Sequence, residues 1–230
     1  MKRNGLTYFL LVGLIGIALP LSGQVGEARR NLSVGINGGL NINKVTFSPT
    51  IKQQSMNGIN GGLTIRYISE KYFAMLCGLQ LELNYSQRGW RELIEDGTDN
   101  TYSRTMNYLE VPFLAHIAFG NENGAQGFLN LGPQIAFLLG EKEQRSDAAT
   151  WEPLGRIHEQ YGKWAEKKFD YGIAGGAGFE LRTRIGSFIL EGRYYFGLSD
   201  FFNNTKKDYF GRSAHSTIQA KFTYLFDLVK

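Results

Sequence analysis

One cysteine in 230 residues, Cys77, rules out an internal disulfide. It falls on the apolar face of a predicted strand, where a thiol serves as a small hydrophobe. Only 5 prolines are present, so long β-ladders can run with few missing donors. The 3 histidines, His116, His158 and His215, are scattered and lack metal-ligand spacing. After residue 23 no stretch is apolar enough for a transmembrane helix, so entry into a membrane would require a closed sheet. Neither sign of charge dominates. The formal net charge of +4 falls to +2 once Lys2 and Arg3 are set aside with the leader, and both signs are interspersed. That excludes the basic patch of a nucleic-acid binder.

The leader is the first feature present. Lys2 and Arg3 precede an apolar run from Leu6 to Leu19, and Pro20, Leu21, Ser22 and Gly23 supply a break and a small residue. This reads as a secretory signal peptide over residues 1–23, with Gln24 as the first mature residue and one domain over 24–230. No cysteine follows the leader, which argues against a lipoprotein anchor.

Period-two alternation dominates the rest. From Phe73 to Tyr85 the residues Phe73, Met75, Cys77, Leu79, Leu81, Leu83 and Tyr85 form one apolar face, opposite a face that turns polar at Gln80, Glu82 and Asn84. The same pattern predicts eight strands: Asn31–Ile42, Gly58–Ile68, Phe73 to about Trp90, Tyr102–Phe119, Gly127–Leu139, Lys168–Thr183, Ser187–Leu198 and Ser213–Phe226. Short connections at Ser69–Lys71, Gly120–Gln126 and Arg184–Gly186 alternate with long ones at Asn43–Asn57, Arg91–Thr101, Gly140–Lys167 and Ser199–Arg212. Two aromatic girdles are expected. Tyr67, Tyr72, Phe73, Phe119, Phe128, Phe188, Tyr224 and Phe226 lie near the short turns or the C-terminus, and Trp90, Tyr102, Tyr108, Phe169, Tyr171 and Phe196 near the long loops. Together these features predict an all-β, eight-stranded antiparallel transmembrane β-barrel, an up-and-down meander with both termini periplasmic in a Gram-negative outer membrane.

The inner face of such a barrel is just wide enough for its own side chains. Arg66, Glu82, Arg88, Glu110, His116, Glu180, Arg182, Glu191, Arg193 and Lys221 fall on it, and opposite charges there are expected to pair in a lumen network. No spacing singles out a catalytic carboxylate, a metal site or a cofactor site. The run from Gly172 to Gly178 resembles a phosphate loop in composition, but it sits within a strand with no helix after it, so small-residue packing explains it. Trp151, Tyr161 and Trp164, among the mixed charges of Gly140–Lys167, make that loop the candidate partner-contact segment.

Several motifs carry a family resemblance. Ser33-Val-Gly-Ile-Asn-Gly-Gly-Leu-Asn41 opens the first strand, and Gly78-Leu-Gln-Leu-Glu-Leu-Asn-Tyr-Ser-Gln-Arg-Gly89 follows. Tyr108-Leu-Glu-Val-Pro112 and Asn130-Leu-Gly-Pro133 come next. These resemble PorT-like outer-membrane β-barrel proteins of the Bacteroidetes group across the mature chain. The ending Asp227-Leu-Val-Lys230 departs from the usual aromatic terminus. The resemblance implies a non-catalytic structural or accessory envelope component with a link to type IX protein secretion, in contact with outer-membrane lipid and an envelope or secretion protein. A small pore is the alternative. A lipid A-modifying enzyme is a weaker one: His215, Ser216 and Thr217 invite comparison with small outer-membrane deacylases, but His215 and Thr217 share the inner face and no acid partner is evident.

Overall fold

The structure, a computed structural model, describes residues 26–95, 97–146 and 156–229. The expected leader and Trp151 lie outside the described residues. The elements run β1 (Glu27–Ser48), β2 (Gln53–Gln54), β3 (Met56–Tyr72), β4 (Met75–Glu92), β5 (Tyr102–Gly120), β6 (Ala125–Arg145), β7 (Phe169–Thr183), β8 (Gly186–Gly197) and β9 (Arg212–Val229). β2 is a two-residue stub that pairs Gln53 with Glu92 and Gln54 with Arg91. The other eight strands close a ring in which each pairs antiparallel with its neighbours along the chain, and β9 returns to β1. Two-residue turns join β3 to β4 and β7 to β8, and residues 121–124 join β5 to β6. The longer connections gather at the opposite end.

The wall reverses the polarity of a water-soluble fold. Ile36, Leu40, Leu63, Leu131, Leu190 and Ile218 are exposed, whereas Arg66, Glu82, Glu110 and Lys221 are buried. On β4, Leu79, Leu81, Leu83 and Tyr85 point outward and Gln80, Glu82, Asn84 and Ser86 inward. The outward face from Met75 to Tyr85 rises about 33 Å along the strand, and a tilt near 40° brings that to the ~25 Å height of an apolar membrane band. Exposed aromatics flank the band: Tyr67, Phe73, Phe119 and Phe226 at the short-turn end, and Phe137, Phe169, Tyr171, Tyr194 and Phe196 at the other.

Four aromatics expected in the girdles are corrected. Trp90, Tyr102 and Tyr108 are fully buried inside the long-loop end, and Phe128 is buried inside the short-turn end. They occupy inward positions of β4, β5 and β6, alternating with outward residues.

The ladders also run further than expected, for a related reason. β1 continues to Ser48, where Lys44 and Thr46 point outward while Val45 and Phe47 point inward and are buried. Beyond the membrane the wall has water outside, so its pattern inverts to polar-out and apolar-in. Alternation persists while the sign changes, and the expected loop Asn43–Asn57 proves to be largely strand. β6 likewise reaches Arg145, with a register irregularity between Asn107 and Tyr108 of its partner β5. The extra residue swings Glu141 and Glu143 toward the interior.

The glycine run on β7 makes room for the lumen. A Cβ at Gly176 would stand 2.5 Å from a Glu191 carboxylate oxygen. One at Gly178 would meet the Leu190 carbonyl at 2.1 Å and the Phe128 ring at 2.7 Å. Gly178→Ala is therefore expected to destabilise the barrel by about 1–3 kcal/mol, the cost of overpacking. Gly127→Ala, where an added Cβ meets nothing within 4 Å, is expected to be neutral or stabilising by about 0.5–1 kcal/mol. Heat-modifiable gel migration in denaturant separates the two, and equal midpoints would refute the packing account.

Candidate functional site

The lumen is filled in storeys. Ile68, Leu76, Ala118, Phe128, Ile189 and Leu225 form an apolar floor near the short-turn end. Beside it, Arg66 donates from Nη1 to Glu180 at 2.5 Å and from Nε and Nη2 to the Gln80 side-chain oxygen Oε1 at 2.9 and 2.7 Å. Arg182 reaches Glu180 from the mouth at 2.9 Å. His116 Nδ1 lies 2.8 Å from the Asn130 side-chain oxygen.

Glu82 is the hub of the middle storey. It accepts from Arg193 at 2.6 and 2.9 Å, from Lys221 at 2.5 Å, from Gln80 at 2.6 Å and from Asn84 at 2.8 Å. Arg193 also donates twice to Glu191 at 2.9 Å, and Asn130 adds a bond to the same carboxylate at 3.1 Å. A planar guanidinium suits this bridging of two carboxylates better than an ammonium would.

Above it, Arg88 donates to Glu110 and to Asp170, each at 2.6 Å. Its guanidinium lies 4.2 Å from the Tyr195 ring centre and 5.0 Å from that of Tyr108. Tyr195 donates to Asp170 at 2.8 Å, and the Ser199 hydroxyl donates to the other oxygen. The Tyr108 hydroxyl lies 3.0 Å from His215 Nε2.

An apolar lid closes the long-loop end. Phe201, Phe202 and Phe210 descend from the loop between β8 and β9 onto Val45, Phe47, Trp90, Tyr102 and Met106. Trp90 and Phe201 stack at 5.5 Å, as do Phe202 and Phe210. The Arg104 guanidinium lies 5.4 Å from the centre of Trp90, held by Glu141 at 3.3 Å and Glu143 at 3.5 Å. The opposite mouth holds a polar cavity of about 730 Å³ lined by Arg29, Asn31, Glu122, Arg182, Arg184 and Asp227.

The structure brings Arg66, Glu82, Arg88, Glu110, Glu180, Arg182, Glu191, Arg193 and Lys221 into ion pairs, and leaves His116 with an amide partner. Asp170 completes the balance, for it gives the five cations of the stack five carboxylates. Asp170 stands between the outward Phe169 and Tyr171 on β7, so alternation alone puts it on the inner face, although it is absent from the expected network. Arg104 was missed because its partners Glu141 and Glu143 lie past the irregularity that re-aims them.

In the long loop, Trp164 is exposed. Tyr161 instead turns in, donating to Glu92 at 2.8 Å and packing 4.7 Å from Tyr102. Burial, then the Glu92 carboxylate, raise its phenol above the ordinary tyrosine range, so it remains a donor. Among the described residues no cluster of His, Cys, Asp and Glu is suited to a metal ion.

The sequence model of the outer membrane protein beta-barrel domain family matches residues 23–203. The chain belongs to this family. Among solved structures, this outer-membrane barrel is similar to OprG of Pseudomonas aeruginosa at 12% identity and a TM-score of 0.50, covering 87% of this chain and 98% of that one. It is also similar to Neisserial surface protein A at 12% identity and a TM-score of 0.40, covering 84% and 97%. A third similarity is to the attachment invasion locus protein of Yersinia pestis at 12% identity and a TM-score of 0.37, covering 84% and 98%. At these identities the likeness concerns the fold. No functionally curated protein matches the chain.

Glu82→Ala leaves Arg193 sharing one carboxylate and Lys221 without its ion pair. It is expected to destabilise this outer-membrane barrel by about 3–5 kcal/mol. Glu122→Ala, at the open mouth, is expected to cost less than about 1 kcal/mol. Unfolding in urea followed by gel migration measures both, and a Glu82 variant as stable as wild type would point to a wet, open lumen.

Proposed function

We propose that the protein is a closed, non-catalytic barrel serving as a structural or accessory component of a Gram-negative outer membrane. On this reading both termini are periplasmic and the long-loop end faces the cell exterior. The observation that carries it is the filled lumen: paired charges occupy its width, and an aromatic lid seals one end. A pore needs a continuous wet path, and the lid of Phe47, Trp90, Phe201, Phe202 and Phe210 sits across it. A lipid-modifying enzyme of the Ser–His kind needs both groups together at the bilayer, but His215 is buried in the lumen against Tyr108 and Phe201, while Ser216 stands on the opposite face of β9, 2.9 Å from the Tyr194 hydroxyl.

The long loops support partner contact. Backbone bonds from Glu166 and Lys167 to the Phe201 carbonyl, at 2.9 and 3.0 Å, stitch the loop after β6 to the loop after β8. On this platform Trp164 and Tyr209 expose their rings. A rigid aromatic on an ordered base is what a protein interface uses as an anchor. The resemblance to PorT-like barrels supports a place for that partner in protein secretion.

Pull-down from detergent-solubilised outer membranes, comparing wild type with Trp164→Ala, tests the reading. The variant is expected to keep its gel mobility and to lose at least tenfold of a co-purifying envelope protein. Purified protein is expected to give no conductance steps in planar bilayers. Regular conductance, or altered lipid A in a deletion strain, would replace this reading with the pore or the enzyme.

A further inference from the structure

The outer wall at the long-loop end carries a groove of about 420 Å³ between the tops of β7 and β8. Its lower part is aromatic and aliphatic: Phe169, Tyr171 and Leu198, all exposed. Its upper part is basic and polar: Lys167, Lys168, Asp200 and Asn204. Phe137 extends the lower part, 5.1 Å from Phe169 between ring centres. The groove thus straddles the boundary where the apolar band ends and water begins.

The charges of the two loops beside it do not cancel. Residues 163–168 and 198–211 hold five lysines and three acids. Each acid is already engaged. Glu166 accepts from the Asn203 amide at 2.6 Å and pairs with Lys163 at 3.4 Å. Asp200 accepts from the Ser213 amide at 2.7 Å and from Asn204 at 2.9 Å. Asp208 accepts from the Thr205 amide at 2.8 Å and hydroxyl at 2.6 Å. Lys167 donates to a neutral partner, Asn204 at 3.2 Å, and forms no ion pair among the described residues. Among the described residues, Lys168, Lys206 and Lys207 form no ion pair.

We infer that this groove binds the phosphate-bearing headgroup of an outer-leaflet lipid. The phosphate is held by Lys167 and Lys168, Lys206 and Lys207 add long-range attraction, and the first acyl carbons lie against Phe169, Tyr171 and Leu198. The site needs both halves. Lysines without the apolar wall below would bind any soluble anion, and the wall without lysines would take any lipid. The leaflet assigned rests on the orientation proposed above.

The test is native mass spectrometry of the detergent-solubilised protein titrated with diphosphorylated lipid A, with its dephosphorylated form, and with inorganic phosphate. Wild type is expected to retain the diphosphorylated lipid in preference to the other two. Lys167→Ala/Lys168→Ala is expected to lose at least tenfold of that retention, since each cation beside an anionic surface contributes about fivefold. Lys52→Ala, already paired with Glu95 at 2.8 Å, is expected to change nothing. Lys168→Glu alone, at an exposed position, is expected to repeat the loss and guards against misfolding of the double variant. Equal retention by the Lys167/Lys168 variant, equal retention of dephosphorylated lipid, or saturation by inorganic phosphate alone would overturn the assignment. A Lys206→Cys variant in a Cys77→Ala background, labelled on whole cells by an impermeant maleimide, tests the orientation separately.

Discussion

Lipid outside the wall offers no hydrogen-bond partner to an amide, and this constraint shapes the remainder of the structure. The strand ladders must therefore close on themselves, as they do where β9 returns to β1 and β4 meets β5. Closure with eight strands fixes a narrow bore. A narrow bore cannot hold bulk water around each charge, so every ionised group inside needs a protein partner. The balance of five cations and five carboxylates follows from that geometry.

The same constraint explains why Glu82 sits at the centre of the middle storey. A carboxylate that serves both Arg193 and Lys221 needs a charge returned elsewhere, and Glu191 returns it through the second edge of the Arg193 guanidinium. Gly176 and Gly178 leave the space that Glu191 and Phe128 occupy. Wall composition and lumen chemistry are thus one packing problem: a small residue on one strand sets where a carboxylate from the next can stand.

Much of this fold was legible because a membrane imposes a plain pattern. Leu79, Leu81 and Leu83 against Gln80, Glu82 and Asn84 state both the strand and its two faces. The pattern failed where the solvent changes. At Val45, Phe47, Trp90 and Tyr102 the apolar residues turn inward, so a rule keyed to apolar-outward alternation ended the first strand too early at Ile42 and placed the inner aromatics Trp90 and Tyr102 in a girdle. Lumen membership was legible by parity alone. Pairing was not, because Glu82 meets residues 111 and 139 positions away, and period two carries no information about which strands face each other across a bore. Arg104 was hidden by one extra residue that re-aims Glu141 and Glu143, an irregularity with no composition of its own.

A lumen filled in this way moves chemistry to the ends of the barrel. The two ends differ in kind. The short-turn mouth is an open polar cavity in which Arg29 and Arg182 already hold acids. The long-loop end is sealed within by stacked aromatics and presents on its outside Lys168, Lys206 and Lys207, which form no ion pair among the described residues. Sealing has a mechanical consequence as well. Phe201 belongs to the lid by its side chain, and its carbonyl accepts the amides of Glu166 and Lys167 from the neighbouring loop. The residues that plug the bore therefore also hold the outer platform in place. Phe201 is thus the residue through which the loop bearing Trp164 and the lysine groove is joined to the filled interior.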